Sequence, residues 1–344
     1  MKAIRIHEHG GPVQLAIDDI AEPGAPGVGE VKVKVEAMAL NHLNLWVLNG
    51  MPHIKQDLPF IMGSDAAGEV VEVGQGVDSV VVGDRVILCP IEFDPTSPEA
   101  LAGEHSMGKG FRMRGEHVNG FDSEYTLVKE YAVRKIADTV SYPDAAAYGV
   151  IFLTAWRMLA SRARILPGET VLIHGIGGGV SIAALKIANL MGARVIVTSG
   201  QKWKIDAAER AGAVAGINYK TEDVAARCYE LTGKQGVDVV VDSVGGSTWP
   251  ISVKTVKPGG RIVTCGATAG NDPPADLVRI FWKQITIMGS TMGNMREFTQ
   301  VVELLNQGKL AAPIDKVFKI EEVRFAYEHL KGEDQFGKVV LEWS

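Results

Sequence analysis

The chain has 344 residues, 46% of them hydrophobic and 22% charged, and a formal net charge of −6. This length exceeds the usual size of one domain, so two domains with ample core are expected. The acidic balance argues against nucleic acid or an anionic membrane as a partner, and no apolar run approaches the roughly 20 residues of a membrane span. The N-terminal segment lacks the apolar region of a signal peptide, which predicts a cytoplasmic protein. Three cysteines lie far apart in the sequence and are expected to be free thiols: Cys89, Cys228 and Cys265.

The first third of the chain is predicted to form short strands joined by glycine turns. Residues 30–37 (EVKVKVEA) alternate with a strict period of two, which places lysines toward water and valines toward a core. Residues 1–7, 68–74 and 80–88 continue this texture, so a compact β-barrel-like domain without long helices is expected. Residues 90–124 are rich in Gly, Pro, Met and charge and are predicted to be a long loop or lobe.

Apolar residues at helical spacing begin after Pro143 and continue up to the segment 169–204, which contains the main motif of the chain. Residues 144–149 and 151–164 have apolar side chains at helical spacing, and the boundary between the two domains is predicted at 146–152. Residues 169–204 then predict a strand, a glycine turn, a helix and a second strand.

The glycine turn has four closely spaced glycines, Gly175, Gly177, Gly178 and Gly179. A pyrophosphate must approach the backbone more closely than a Cβ allows, and the helix start offers unpaired N–H groups. The third glycine of G-x-G-x-x-G falls on Val180, so the prediction of a dinucleotide site depends on the strand and helix around the motif. The alternative is a glycine turn that binds nothing.

The end of the second strand indicates which dinucleotide binds. An NAD site usually places a carboxylate about 20 residues past the first glycine, whereas hydroxyls and cations bind the 2′-phosphate of NADP. Here Ser199, Lys202 and Lys204 precede the first acid, Asp206. We therefore expect NADPH, with Ser199 and either Lys202 or Lys204 binding the phosphate, and select Ser199 and Lys204 as the candidates. NADH, with these lysines as a solvated helix start, is the alternative.

The alternation of strands and helices continues to residue 289. Strands are predicted at 215–218, 237–241, 261–264 and 285–288, helices at 222–231, 249–256 and 275–282, and a turn at 258–260. Six strands with helical crossovers predict a doubly wound parallel sheet. Helices at 295–307 and 320–331 and a strand at 338–342 follow, and this last strand is expected to return to the first domain.

Three segments carry a resemblance to a known family. They are residues 63–68 (GSDAAG) followed by Gly74, Val77 and residues 83–86 (GDRV), residues 39–46 (ALNHLNLW), and the tail at 336–341 (FGKVVL). Together, and in their order along the chain, they resemble the medium-chain dehydrogenase/reductase superfamily over essentially the whole chain. The resemblance implies an α/β fold with a discontinuous GroES-like catalytic domain, residues 1–148 and 290–344, and a Rossmann NADP-binding domain with a doubly wound parallel sheet, residues 149–289.

The chain differs from the zinc alcohol dehydrogenases of this superfamily. They have a cysteine where this chain has Asn41 and a histidine where it has Ser64, and their third ligand falls at 148–149. An amide and a hydroxyl are poor zinc ligands, and Asp65 alone cannot hold the metal. Residues 90–124 contain no cysteine for a structural zinc. The chain is therefore similar to the zinc-free quinone oxidoreductases and enoyl reductases, and no zinc is expected.

The expected reaction is hydride transfer to a carbon that is already electrophilic, in an α,β-unsaturated carbonyl or a quinone. Negative charge then develops on the carbonyl oxygen, which needs hydrogen-bond donors. Asn41 and His42 are predicted to be these catalytic donors. Trp46, Asn44 and Asp65 are predicted to bind the substrate, although Asn44 replaces an aspartate common in this branch. The alternative for Trp46 is ordinary core packing.

The resemblance also implies further cofactor contacts. Thr154 is similar to a threonine that contacts the nicotinamide, Tyr219 would lie under the adenine, Met292 would border the nicotinamide amide, and Lys338 matches a basic residue that reaches the pyrophosphate. A last group follows strand ends: Ser243, Cys265, Gly266 and Ala267. Plain loop structure is the alternative for each of these positions.

The sequence leaves two other functions open. A zinc-free alcohol dehydrogenase or carbonyl reductase would use the same cofactor, and a non-catalytic NADPH-binding protein would bind it without turnover. The expected partner is a small-molecule substrate, with no nucleic acid and no membrane, and the expected assembly is a homodimer or homotetramer.

Overall fold

The computed structural model describes residues 1–343, and the chain divides into two compact units. The first unit comprises Met1–Val150 and the segment that begins at Asn294, and the second is Ile151–Gly293. The predicted limits of the functional domains, at 148/149 and 289/290, stay a prediction.

The N-terminal part of the first unit consists of short strands and short helices. Its strands are β1 (Lys2–Ile6), β2 (Leu15–Asp19), β3 (Glu30–Ala39), β4 (Phe60–Ile61), β5 (Ala66–Val73), β6 (Arg85–Leu88), β7 (Ile91–Glu92), β8 (Arg112–Met113), β9 (Tyr125–Lys129) and β10 (Val133–Lys135). Its helices are α1 (His42–Asn49), α2 (Pro98–Leu101) and α3 (Tyr142–Ala146), and α4 (Gly149–Trp156) begins at its end.

Strand β3 is central to the larger sheet of this unit, where it pairs antiparallel with β5 and β9. Val31, Val33 and Val35 are buried and the lysines between them are not, so the predicted alternation is confirmed. The helix α1, by contrast, follows directly after β3 in a stretch where no helix was predicted. Its residues are mostly apolar on all sides, so no helical period is visible in the sequence.

The second unit alternates strands and helices. Its strands are β11 (Thr170–Ile173), β12 (Arg194–Ser199), β13 (Ala215–Asn218), β14 (Val237–Val241), β15 (Val256–Thr264) and β16 (Thr286–Gly289). Its helices are α5 (Gly179–Leu190), α6 (Lys202–Arg210), α7 (Val224–Leu231), α8 (Trp249–Thr255) and α9 (Leu277–Lys283). The strands lie in the order β13-β12-β11-β14-β15-β16 with every pair parallel, which is the Rossmann order. The predicted doubly wound sheet is confirmed.

Two local predictions for this unit differ from the structure. The predicted turn at 258–260 lies inside β15, where the register shifts, because Val237 pairs with Val256 but Val239 pairs with Arg261. The predicted helix at 151–164 is α4 followed by a π-helical segment, Arg157–Ala163, which ends at Arg164 with a φ of +49°.

The C-terminal segment completes the first unit with α10 (Met295–Asn306), β17 (Ile314–Lys319), α11 (Val323–Lys331) and β18 (Lys338–Glu342). Strand β18 lies between β3, to which it is antiparallel, and β17, to which it is parallel. The last strand thus returns to the sheet of the first unit, as the sequence predicts. Strand β17 was not predicted, because Phe318 is its one fully buried residue and gives no alternation.

The cysteines and the helices bear on two further expectations. Cys89 and Cys228 are buried, Cys265 is half-buried, and all three are free. Among residues 1–343, no helix combines the length and the apolar character needed to cross a membrane.

Candidate active site

The glycine turn joins β11 to α5 in the second unit. Gly175 and Gly177 have φ values of +66° and +125°, a region that favours glycine. A Cβ on Gly177 would lie 2.8 Å from Cδ of Lys204, so this glycine also makes room for the lysine. Helix α5 begins at Gly179, and its N-cap residue Gly178 makes no side-chain capping bond. The N–H groups of this first turn, which includes Val180, therefore suit an anion such as a pyrophosphate.

Ser199 and Tyr219 lie at the ends of neighbouring strands. Ser199 ends β12, its register partner Asn218 ends β13, and Tyr219 follows. Both Tyr219 and Lys220 lie close to Gly200. A Cβ on Gly200 would be 2.8 Å from the Tyr219 hydroxyl and 2.8 Å from Cε of Lys220. Lys220 was not among the predicted residues, although its position directly after a strand adjacent to β12 is a usable signal in the sequence.

The lysines of α6 have different environments. Lys204 is 8% exposed and lies against Gly177. Lys202 is on the surface and its Nζ donates to Asp206 at 2.5 Å. The first carboxylate after β12 is thus already paired with a lysine, and the buried cation lies beside the glycine turn.

Thr154 and Met292, the two residues that the resemblance assigns to the nicotinamide, are in contact. The Thr154 hydroxyl donates to Sδ of Met292 at 3.6 Å, and both side chains are buried. Met292 has a φ of +46°, an uncommon conformation for methionine. Two residues earlier, the buried Oγ of Ser290 has no hydrogen-bond partner in the protein. An unpartnered buried hydroxyl fits a bound polar group, and sequence analysis had no signal for it.

The loops after β14 and β15 lie next to each other. They carry the remaining predicted cofactor residues: Ser243, Cys265, Gly266 and Ala267. Thr268 N–H donates to the Ser243 carbonyl at 3.4 Å, which joins the two loops. Burial raises the pKa of the Cys265 thiol to about 12, so it is neutral at physiological pH. The structure places this group at the carboxyl edge of the parallel sheet, where ligands of such sheets bind.

In the first unit, Asn41, Asp65 and Lys338 form one buried polar cluster. Asn41 Nδ2 donates to Asp65 Oδ2 at 2.8 Å, and Lys338 Nζ donates to Asn41 Oδ1 at 2.6 Å and to Asp65 Oδ2 at 3.0 Å. The Val150 N–H donates to Asp65 Oδ1 at 2.7 Å. Asp65 is fully buried and Lys338 is 3% exposed, whereas Asn41 is half-buried. Burial lowers the pKa of Lys338, and Asp65 opposes that shift. The sequence predicted three separate roles for residues that the structure brings together.

The other predicted residues belong to α1. His42 and Trp46 make a T-shaped ring contact, with centroids 5.2 Å apart, and Trp46 is 37% exposed. Burial lowers the pKa of His42, so its imidazole is neutral at pH 7. Asn44 is buried, and both ends of its amide are hydrogen-bonded. Its Oδ1 accepts from the Asn41 N–H at 2.8 Å, and its Nδ2 donates to the Tyr327 hydroxyl at 3.3 Å. Asn44 therefore supports the start of α1, and its predicted contact with substrate stays a prediction.

The positions that correspond to zinc ligands do not fit a zinc ion. The buried Ser64 Oγ donates to the Arg114 carbonyl at 2.7 Å, and Tyr148 donates to the Val301 carbonyl at 2.8 Å. Gly149 has no side chain, and a Cβ there would lie 2.7 Å from Asp65 Oδ1. In the part of the chain that the structure describes, no three His, Cys, Asp or Glu side chains come together as a possible metal site. Zinc needs at least three such ligands.

Comparisons with known proteins agree with this architecture. The family model of the alcohol dehydrogenase GroES-like domain matches residues 27–138, and that of the zinc-binding dehydrogenase matches residues 179–307. An acryloyl-coenzyme A reductase from Metallosphaera sedula is 31% identical, over 99% of this chain and 99% of that protein. A zinc-type alcohol dehydrogenase-like protein from Leptosphaeria maculans is 30% identical, over 96% of this chain and 94% of that protein. Among solved structures, an NAD-dependent alcohol dehydrogenase has 35% sequence identity to this chain, and its crystal structure matches with a TM-score of 0.95 over 99% of each chain.

The fold and the glycine turn, together with these relatives, define an NAD(P)-dependent oxidoreductase with a GroES-like domain and a Rossmann domain. The predicted fold class is confirmed. The chain belongs to the medium-chain dehydrogenase/reductase superfamily.

Proposed function

We propose that this protein is an NADPH-dependent reductase that transfers hydride to an α,β-unsaturated carbonyl or a quinone without a catalytic metal. The observation that carries the proposal is the Asn41–Asp65–Lys338 cluster. Asn41 stands where zinc members of the superfamily have a cysteine ligand, and its amide is bonded to the ion pair of Asp65 and Lys338 instead. The 31% identity to an acryloyl-coenzyme A reductase supports the same substrate class, since an acryloyl group is a conjugated C=C–C=O unit.

The choice of NADPH over NADH is supported by the groups at the ends of β12 and β13. This region supplies one hydroxyl, from Ser199, and two cations, from Lys204 and Lys220. Between the end of β12 and Asp206 the chain has no carboxylate, and Asp206 itself is paired with Lys202. A carboxylate here would bind ribose hydroxyls and repel a phosphate, whereas cations bind the phosphate through charge-assisted hydrogen bonds.

The nicotinamide end of the cofactor is proposed to contact Thr154 and Met292. The strand-end group Ser243, Cys265, Gly266 and Ala267 and the unpartnered hydroxyl of Ser290 are proposed to complete this end. Cys265 acts there as a neutral group, because its thiol is protonated at pH 7.

When bound, NADPH supplies the hydride that reduces the β-carbon of the substrate. The electrons of the C=C bond then move toward the carbonyl oxygen, and the chain must stabilise the resulting negative charge. The Asn41 amide keeps a second Nδ2 hydrogen after donating to Asp65, and neutral His42 has one ring N–H. We propose these two groups as the donors to that oxygen, with Trp46 packing against the planar substrate.

A metal-free alcohol dehydrogenase or carbonyl reductase is the second candidate. It is favoured by the 35% identity to an NAD-dependent alcohol dehydrogenase. Against it, reduction of an isolated C=O gains most from a Lewis acid or a proton donor at the oxygen, and the cluster offers an amide and a buried ammonium already bonded to Asp65.

NADPH oxidation at 340 nm against an enone, a quinone, an aldehyde and a ketone, with a chelator present, tests the proposal. We expect turnover of the enone or the quinone only. Turnover confined to the aldehyde or ketone would support the second candidate. Metal analysis of protein purified without a histidine tag is the matching control, and stoichiometric zinc would overturn the metal-free assignment.

The domain limits, the assembly and the location of the protein are also proposals. Residues 1–148 with 290–344 are proposed as the catalytic domain and residues 149–289 as the NADP-binding domain. A homodimer or homotetramer is supported by the large apolar side chains that α9 exposes, Leu277, Val278, Phe281 and Trp282. A cytoplasmic location stays a prediction.

A further inference from the structure

The resemblance implies that Lys338 reaches the cofactor pyrophosphate, and in the structure its ammonium is bonded to Asn41 and Asp65. Two of its three N–H donors are directed at Asn41 Oδ1 and Asp65 Oδ2, and the side chain is 3% exposed. A lysine ammonium buried to this degree needs a charged partner, and Asp65 is that partner. The lysine is therefore part of the polar cluster around Asn41.

The chemistry of the two neighbours determines how the Asn41 amide is oriented. Lysine can only donate hydrogen bonds and an ionised aspartate can only accept them. The amide oxygen must therefore face Lys338 and the amide nitrogen must face Asp65, at 2.6 Å and 2.8 Å. A flipped amide would place its oxygen against the Asp65 carboxylate and its N–H group against the ammonium.

This orientation leaves one donor of Asn41 unused. Of the two Nδ2 hydrogens, one is bonded to Asp65 and the other has no protein partner. Asn41 is also the half-buried member of the cluster, whereas Asp65 and Lys338 lie beneath it. The hydrogen bond from the ammonium to the amide oxygen further polarises the amide, which strengthens its remaining N–H as a donor.

We propose that Lys338 is a positioning residue that, together with Asp65, fixes and polarises the Asn41 amide so that an N–H, and never the C=O, is presented to the substrate oxygen. The inference rests on the proposed function, because it assumes that this oxygen gains negative charge. It assigns Lys338 to the stabilisation of the reacting oxygen rather than to the binding of NADPH.

The test compares Lys338→Met with the wild-type enzyme in two measurements. At saturating NADPH, we expect kcat for the enone or quinone to fall by about 10- to 100-fold. Removal of a whole oxyanion donor typically lowers kcat by about 100- to 1,000-fold, and here the donor remains but is less well oriented. The Kd for NADPH, measured by fluorescence, is expected to change by less than about threefold, since the proposal places Lys338 on Asn41 and Asp65 and not on the pyrophosphate. A raised Kd with an unchanged kcat would overturn the proposal and return Lys338 to the cofactor.

A lysine that acts only through Asn41 has a further signature. In an Asn41→Ala background, Lys338→Met should lower kcat by no more than about twofold, because the amide that it orients is gone. A purely structural role would lower kcat equally in both backgrounds, and that result would contradict the proposal.

Removing the lysine alone leaves Asp65 buried and unpaired, so this variant is at risk of not folding. The double variant Lys338→Met/Asp65→Asn removes both charges and keeps the volume. It is expected to show the same loss of kcat with the same NADPH affinity, and wild-type kcat in it would overturn the inference.

A measurement without substrate separates failure of this inference from failure of the proposed function. In NMR spectra of protein labelled with 15N-asparagine, the Asn41 side-chain signals are identified as those lost in Asn41→Ala. In the wild type, we expect one Nδ2 hydrogen of Asn41 to exchange slowly with solvent and the other rapidly. In the double variant, we expect both to exchange at the same rate. Equal exchange in the wild type would overturn the fixed amide, whatever substrates the enzyme reduces.

Discussion

At the residue scale, Lys202 and Lys204 have similar sequence positions but different surroundings. Lys204 is buried against the glycine turn, whereas Lys202 is exposed and bonded to Asp206. We expect Lys204→Ala to raise the Kd for NADPH by roughly 10- to 100-fold, the loss of one charge-assisted hydrogen bond, and to leave the Kd for NADH nearly unchanged. Lys202→Ala is the matched control and should alter neither value. An equal loss for both cofactors in Lys204→Ala would refute the phosphate assignment.

Asp122 is a buried carboxyl group whose role lies in stability. Its Oδ2 has no partner, and burial, with a smaller contribution from Asp65, raises its pKa to about 7. The folded state therefore holds this proton more tightly than the unfolded state. The associated stability is complete below about pH 4 and is lost as the pH rises to about 7. We expect Asp122→Asn to remove this loss, so that the variant exceeds the wild type in free energy of unfolding by roughly 2–4 kcal/mol at pH 8.

Urea unfolding at pH 5 and pH 8 measures the Asp122 prediction. The advantage of Asp122→Asn over the wild type should be clearly larger at pH 8 than at pH 5. A difference that is the same at both pH values would show that Asp122 titrates normally.

The sequence selected the members of the polar cluster as candidates but did not predict that they are in contact. Asn41, Asp65 and Lys338 were all selected, but as catalytic, substrate-binding and cofactor-binding residues in three distant segments. Their contact depends on β18 lying beside β3, and no local pattern gives the register in which Val340 pairs with Ala39. Ser290 was not selected because a buried unpartnered hydroxyl has no motif in the sequence, whereas Lys220 could have been selected from its position after the end of β13.

At the scale of elements, the glycine turn allows a matched comparison. Gly177 has a φ of +125° and its Cβ would lie 2.8 Å from Lys204, whereas Gly178 has a φ of −77° and its Cβ would meet only Ser181 Oγ at an ordinary 3.7 Å. We expect Gly177→Ala to lower the free energy of unfolding by about 1–3 kcal/mol and Gly178→Ala to lower it by less than about 1 kcal/mol. Urea unfolding of the cofactor-free proteins measures both. Equal losses would mean that the turn tolerates a side chain at Gly177.

The elements that the sequence predicted well have a strong local pattern. The strands of the Rossmann sheet are continuous apolar runs, and the residues of β3 alternate between apolar and polar, so both kinds of strand were found. Helix α1 is too apolar for a helical period, and β17 buries Phe318 alone, so neither was found. Tertiary contacts define these elements: Asn44 of α1 donates to the Tyr327 hydroxyl of α11, and β17 pairs with β18.

At the scale of the whole molecule, the assembly is open to a direct test. Strand β16 is an edge strand of the parallel sheet, and α9 beside it in the chain exposes Phe281 and Trp282 at 64% and 80%. Such a surface is expected to be covered by a second copy of the chain. We expect Trp282→Glu to convert the oligomer to a smaller species by light scattering, with NADPH affinity retained. Phe325→Glu, at an exposed aromatic residue of α11, is the control and should leave the oligomer intact. A wild type that is already monomeric would contradict the prediction.

Hydride delivery to a conjugated carbon without a metal can be tested by following the transferred hydrogen. The most direct measurement is turnover of an enone with NADPH that carries deuterium at the transferred position of C4, in the presence of a chelator, followed by NMR of the product. We expect a saturated ketone with one deuterium on the β-carbon. Deuterium on the carbonyl carbon of an allylic alcohol, or turnover that the chelator abolishes, would contradict it.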